Sequence, residues 1–330
     1  MPLRSDTLAG PAEAVRAGFM AAHEREPDGI TVSVSATGAR DALEVYRAAV
    51  GANEMVVGPL ARADVAAVAA SGAISKPTIA LNHPGNEASL PPAMLSMGLS
   101  IEDEARQVAR WAGADHPGVG ALIVTGTSTW QKRTAGAFAA QCKLQGTIVE
   151  TIELPASNGY LSEAALRELK TRIDTDPPGM LLAALDADQL RRVRESIGMD
   201  VPVYGTSSVN PGNAPGSAVA ELDGVHMIDL PWEVQSDNPS VMIYPRPVTE
   251  RPSLDLDRLY ALGIDAYRVA REIALGRELQ GNAQQRQLFQ MDGVTGRLSV
   301  RFGDGPAKFE RQQPGVIYQG GTYVLTEPVH

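Results

Sequence analysis

The stretch Met55 to Asn82 constrains the fold more than any other part of the chain. It opens on the apolar run Met55-Val56-Val57, the composition of a strand buried on both faces. Gly58-Pro59 stops that run, because proline brings no N–H to a ladder and glycine allows a sharp turn. Val65, Val68 and Ala69 follow at helical spacing up to Gly72, and after Pro77 a second apolar run, Thr78 to Leu81, ends at Asn82-His83-Pro84-Gly85. Strand, helix and strand with short connections form a βαβ unit, whose two strands must be parallel and whose crossover is right-handed. Ligands of open α/β sheets gather beyond the carboxyl ends of such strands.

The same alternation predicts helices over Pro11–His23 and Asp41–Val50, and strands at Ile30–Val34 and Met94–Leu99. Ser100 starts a helix that turns Ala105, Val108, Ala109 and Trp111 inward. From Gly118 the pattern begins again: strands at 120–124, 147–154, 180–185, 201–204 and 225–230, with helices between them. A long helix is predicted over Leu256–Leu275, followed by antiparallel hairpin strands at Gly293–Val300 and Val316–Leu325. The chain therefore reads as α/β with two lobes, each a mostly parallel sheet flanked by helices. Lobe one is assigned 1–98 plus about 233–288, and lobe two 99–232 plus about 289–330. No strand precedes the first helix, so an upstream strand is expected to lie outside this chain.

Composition excludes more than it proposes. With 330 residues, 44% of them hydrophobic and only 5% aromatic, a large core must be built from Ala, Val, Leu and Ile. The net charge of −10, without a basic stripe, argues against nucleic acid as a partner. Cys142, the single cysteine, excludes an internal disulfide and a thiolate metal site. The five histidines have no ligand spacing, and the signatures of P-loops, nucleophile elbows, dinucleotide folds and zinc proteases are missing. No metal, cofactor or catalytic residue is expected. No run of 18 apolar residues spans a membrane, and the first residues carry no secretion signal.

Residues just past the predicted strands are the candidates for lining a cleft: Arg62, Asn82, His83, Ser128, Trp130, Asp186, Ser207 and Ser208. Each competes with a plainer role. Asp186 is placed to cap a helix, Asn82 to form a turn, and Trp130 to pack under its own helix. Ser207-Ser208, with Asn210-Pro211-Gly212-Asn213, offers hydroxyls to a ligand or is simply a loop. Trp232 is a buried anchor or an exposed contact for a partner.

The two-lobed pattern resembles type I periplasmic binding proteins. Several segments resemble more narrowly the LppC/LpoA family of penicillin-binding protein activator lipoproteins. They are Val57–Leu60, Ile79–Asn82, Gly98–Glu104, Leu222–Val225 with Asp229–Trp232, Leu259–Tyr267 and Gly293–Gly296. The resemblance implies a non-enzymatic periplasmic regulator of peptidoglycan synthesis that binds and activates a class A penicillin-binding protein. It also implies an anchor on the inner face of the outer membrane through a lipidated cysteine, and usually a helical-repeat domain, both preceding this chain. The alternative is a solute-binding or sensing protein that closes its lobes on an amino-acid-like small molecule. Here Leu60-Ala-Arg62 and Ser128-Thr-Trp130 replace the small polar residues and the Tyr-Gly of binding-protein relatives, and an Arg and a Trp would crowd an amino acid.

Overall fold

A computed structural model describes residues 8–36, 41–85, 90–157, 160–212, 219–247, 253–276, 288–302 and 307–326. Its contacts divide the chain into two compact units: Met1–Leu99 with Pro231–Gln312, and Ser100–Leu230 with Gln313–His330. Each is α/β with a parallel core sheet.

The first unit opens with α1 (Ala9–Arg25) and α2 (Ala42–Ala52), the latter capped by the Asp41 side chain. Then come β1 (Val56–Val57), α3 (Arg62–Ala70), β2 (Thr78–Ala80) and β3 (Met94–Ser96). These strands form a parallel sheet in the order β1-β2-β3, so the predicted βαβ unit is present. The Ile30–Val34 strand is not. That segment has no ladder partner among the described residues, and Thr31, Ser33 and Val34 are exposed. A β-favouring composition without a neighbouring strand leaves backbone that water must satisfy.

The second unit follows with α4 (Ile101–Asp115), β4 (Ala121–Thr125), α5 (Thr129–Leu144), β5 (Val149–Glu153) and the short pair β6 (Ala156–Ser157) and β7 (Tyr160–Leu161). It continues through α6 (Glu163–Thr175), β8 (Met180–Ala184), α7 (Ala187–Ile197), β9 (Val203–Gly205) and β10 (His226–Ile228). Every residue of β4 and β8 is buried, as expected for central parallel strands. Trp111, Phe138, Leu182 and Tyr204 lie in the cluster that joins helices to sheet, and Ala105, Val108 and Ala109 turn into it as predicted. The free Cys142 thiol is buried there, and burial raises its pKa, which suits an inert core residue.

The chain returns to the first unit with α8 (Pro231–Val234), α9 (Pro239–Met242) and α10 (Leu254–Gly276). An antiparallel sheet follows, formed by β11 (Leu288–Asp292), β12 (Arg297–Arg301) and β13 (Lys308–Gln312). Its inward residues Phe289, Met291, Leu298, Val300 and Phe309 join a core that also contains Ile79, Leu95 and Leu262. This corrects two expectations. Residues 289–312 belong with the first unit rather than lobe two, because that alternating apolar face packs there. Gly293 to Gly296 is the turn between β11 and β12, not part of a strand. Only the last hairpin, β14 (Gly315–Gln319) and β15 (Thr322–Leu325), returns to the second unit, where β14 pairs antiparallel with β10. The resulting order is β15-β14-β10-β9-β8-β4-β5.

Candidate functional site

In the first unit the carboxyl ends of the strands bring Arg62, Asn82 and His83 together. Asn82 is held at both ends of its amide: Nδ2 donates to the Leu60 carbonyl at 3.1 Å, and Oδ1 accepts the His83 N–H at 2.9 Å. The Ser96 hydroxyl donates to the Asn82 carbonyl at 3.0 Å and lies 3.0 Å from His83 Nδ1. Because the serine proton is committed to a carbonyl, the imidazole Nδ1–H is the donor to Ser96. That is the reverse of an activated serine, so the pair is not arranged as nucleophile and base. Arg62 opens α3, and its side chain lies across Gly85, where a Cβ would meet Arg62 Cδ at 2.9 Å. Gly98 is required for a similar reason, since its Cβ would meet the Asn82 Cα at 2.7 Å.

In the second unit the ends of β4, β8 and β9 hold the other candidates, and most of their polar atoms are already spent. Ser128 caps α5: its hydroxyl donates to Gln131 Oε1 at 2.7 Å, and its N–H reaches the same oxygen at 3.2 Å. Asp186 caps α7 by accepting the Gln189 N–H at 2.8 Å. The two caps are joined, because Gln131 Nε2 donates to Gln189 Oε1 at 2.5 Å. Burial pushes the Asp186 carboxyl above its ordinary range, while the backbone N–H groups of Gln189 and Asp188 restrain the rise. Ser208 Oγ donates to the Leu185 carbonyl at 2.7 Å, and the Ser207 N–H donates to buried Glu104 at 3.0 Å. Trp130 is half-buried on the first turn of α5, leaving one part of the ring to solvent. Asn213 lies outside the described residues.

Of the two roles left open for Trp232, the structure supports the buried anchor and speaks against the exposed partner contact. Its side chain is 0% exposed, its backbone N–H donates to the Val294 carbonyl at 2.9 Å, and the Arg246 guanidinium covers its ring at 3.9 Å. No partner reaches that ring without first displacing Arg246.

Sequence reasoning missed Gln131, Gln189 and Glu104. The first two carried a readable signal, a glutamine three residues after a Ser or Asp cap. Glu104 carried none, because its partners Ser207 and Gln313 are 103 and 209 residues away. Among the described residues no group of three or more His, Cys, Asp or Glu side chains is placed to hold a metal, and no helix is long and apolar enough to cross a membrane.

The family-like segments prove to be internal wiring. Asp265 in α10 is 0% exposed and accepts from Val294 N–H at 3.1 Å, Thr295 N–H at 2.8 Å and Thr295 Oγ1 at 2.6 Å. This ties the Leu259–Tyr267 segment to the Gly293–Gly296 turn. Asp229 likewise accepts from Asn210 Nδ2 at 2.7 Å and from the Leu230 N–H at 2.7 Å.

Comparison with known proteins agrees with this pattern. The family model described as "LppC putative lipoprotein" matches residues 1–319. "Penicillin-binding protein activator LpoA" of Edwardsiella piscicida is 27% identical over 312 residues, covering 82% of this chain and 42% of that protein. The chain thus spans about two fifths of the length of the curated relatives it matches. Among solved structures, the LpoA C-domain of Haemophilus influenzae, a regulator of PBP1A, has a TM-score of 0.74 at 21% identity and 99% coverage of both chains. A Chromobacterium violaceum protein described as a "putative branched-chain amino acid ABC transporter" is 33% identical, with TM-score 0.73 and coverage of 96% and 98%. The fold is therefore that of the periplasmic-binding-protein-like proteins, and the chain belongs to the LppC family.

Proposed function

We propose that this chain is the working domain of a non-catalytic regulator that binds a class A penicillin-binding protein and raises its peptidoglycan synthesis. The observation that carries the reading is the family match over residues 1–319, together with curated relatives named as penicillin-binding protein activators. The site geometry supports it. Strand-end polar groups satisfy helix caps and loops, and Ser96 and His83 are not set as nucleophile and base. The regulator acts in the periplasm, held to the outer membrane as a lipoprotein.

The experiment is direct binding of this chain to the periplasmic ectodomain of a class A synthase from the same organism, with the rate of glycan polymerisation followed in parallel. Saturable binding with a faster rate is expected. A synthase that neither binds nor changes rate sinks the reading. The solute-binding reading has one specific observation in its favour, the 33% identity to the Chromobacterium violaceum protein, and it is tested separately below.

A further inference from the structure

Where α4 ends, the second unit gathers two of the chain's five histidines into an aromatic cluster that the functional reading does not use. His226 opens β10 and stands beside Tyr204 of β9 in the parallel register, so the two side chains share one face of the sheet. Their rings stack with centroids 4.5 Å apart. Trp111 of α4 meets both edge-on, at 5.4 Å from Tyr204 and 5.3 Å from His226. His116, just past α4, closes the group at 5.7 Å from Tyr204. The polar tips are wired in one direction. The Tyr204 hydroxyl donates to Asp115 Oδ2 at 2.9 Å, so in the 3.0 Å contact with His116 it is the imidazole Nε2–H that donates. His226 takes no part in that wiring: its Nδ1 is buried and has no hydrogen-bond partner.

An imidazole held this way fits differently in its two protonation states. Neutral, it stacks as a flat ring between Tyr204 and Trp111. Protonated, it puts a charge among those rings, where Nδ1 has no partner to compensate the lost hydration. The groups that face it set the balance. From α4 these are Asp115, which favours the charge, and His116, which opposes it. β9 contributes the Tyr204 ring, whose phenol burial and the adjacent Asp115 keep protonated. β14 places apolar Ile317 opposite His226, and the nearby Gly224 and Val203 carbonyls favour the charge. Burial outweighs them and pushes His226 below its ordinary value. The unfolded chain therefore takes up this proton first as pH falls. Stability drawn from neutral His226 is complete above about pH 6.5, and declines from there until the folded chain's own, lower value is passed. The cost falls where α4 packs on β9 and β10.

We propose that His226 is a proton-sensing residue of the second unit, and that its protonation under mildly acidic conditions releases the last turn of α4 from β9 and β10. The test compares the whole chain with His226→Phe, which keeps a ring that can stack and cannot take up a proton. Both are unfolded in urea at about pH 7.5 and about pH 5, on either side of the ordinary histidine range. Acidification should raise the unfolding constant of the unaltered chain several-fold more than that of the variant, within the roughly tenfold per pH unit that one proton allows. An equal response of the two overturns the proposal. The imidazole magnetic-resonance signals of the folded, unaltered chain give a measurement that needs no variant. A His226 midpoint below about 6.5 is expected, and one at or above that value overturns the proposal. Amide exchange at the acidic pH locates the opening. Faster exchange over residues 112–116, 203–205 and 226–228 in the unaltered chain than in the variant is expected, and no difference there overturns the release of α4.

Discussion

At the residue scale, Asp265 is a buried carboxylate whose bonds join two segments far apart in sequence. It is fully buried in α10 and takes three hydrogen bonds from Val294 and Thr295, tying the turn that leads into β12 beside the Trp232 backbone N–H to Val294 carbonyl bond and the Arg311 Nε to Thr295 Oγ1 bond. Leaving buried donors unsatisfied costs about 1–3 kcal/mol each, so Asp265→Ala should lose on the order of 3 kcal/mol or more. Thr295→Val removes one of the three bonds to Asp265 together with the bond that Thr295 Oγ1 accepts from Arg311 Nε at 3.0 Å, and should lose roughly 1–2 kcal/mol. Chemical denaturation followed by circular dichroism measures both, and equal losses would mean that Thr295 alone carries the network. Sequence periodicity placed Asp265 on a helix but not its partners, which are 29 and 30 residues further on. Trp232 was undecided for the same reason. The Arg246 that covers it comes from a Pro-rich stretch with no periodic signal, and burial by a distant residue leaves no local trace.

At the element scale, what was legible had a period. The longer helices of both units and the fully buried strands β4 and β8 fall where apolar spacing put them, because a helix stripe or a continuous apolar run depends on few distant residues, whereas the four-residue helices α8 and α9 carried no such signal. Pairing was not legible. Ile30–Val34 has strand composition without a strand neighbour, and the β11–β13 sheet joined the first unit through which face it buries, a property of tertiary packing. The contact of α1 with α10 was also invisible, since it is made by the absence of side chains. A Cβ on Gly263 would collide with the Val15 carbonyl oxygen, and one on Gly18 with the Tyr260 carbonyl oxygen. In an exposed helix Gly→Ala gains up to about 1 kcal/mol. At this crossing the sign should reverse, because the added methyl meets backbone that cannot rotate away. Gly263→Ala should therefore lose about 1–3 kcal/mol. Thermal melting decides it, and a stabilised variant would show that the two helices part without cost.

At the scale of the whole molecule, two likenesses pull apart. The chain belongs to the LppC family and is 27% identical to a penicillin-binding protein activator, yet it is 33% identical to a protein described as a "putative branched-chain amino acid ABC transporter". The strand ends separate the two. A binding site for a zwitterion needs hydroxyls, a carboxylate and N–H groups free to exchange water for ligand. Ser128, Asp186 and Ser208 instead satisfy two helix caps and the Leu185 carbonyl, and Asn82 is held through its amide by Leu60 and His83. Recruiting them to a ligand would break bonds worth about 1 kcal/mol apiece before any were gained. The expected outcome is that leucine, isoleucine and valine at millimolar concentration leave the melting temperature unchanged. A ligand present at 100 times its dissociation constant stabilises by about 2.7 kcal/mol, a rise that a melting curve resolves easily. A saturable increase with any of the three would mean that the caps rearrange to admit the ligand and that these strand ends form a working binding site.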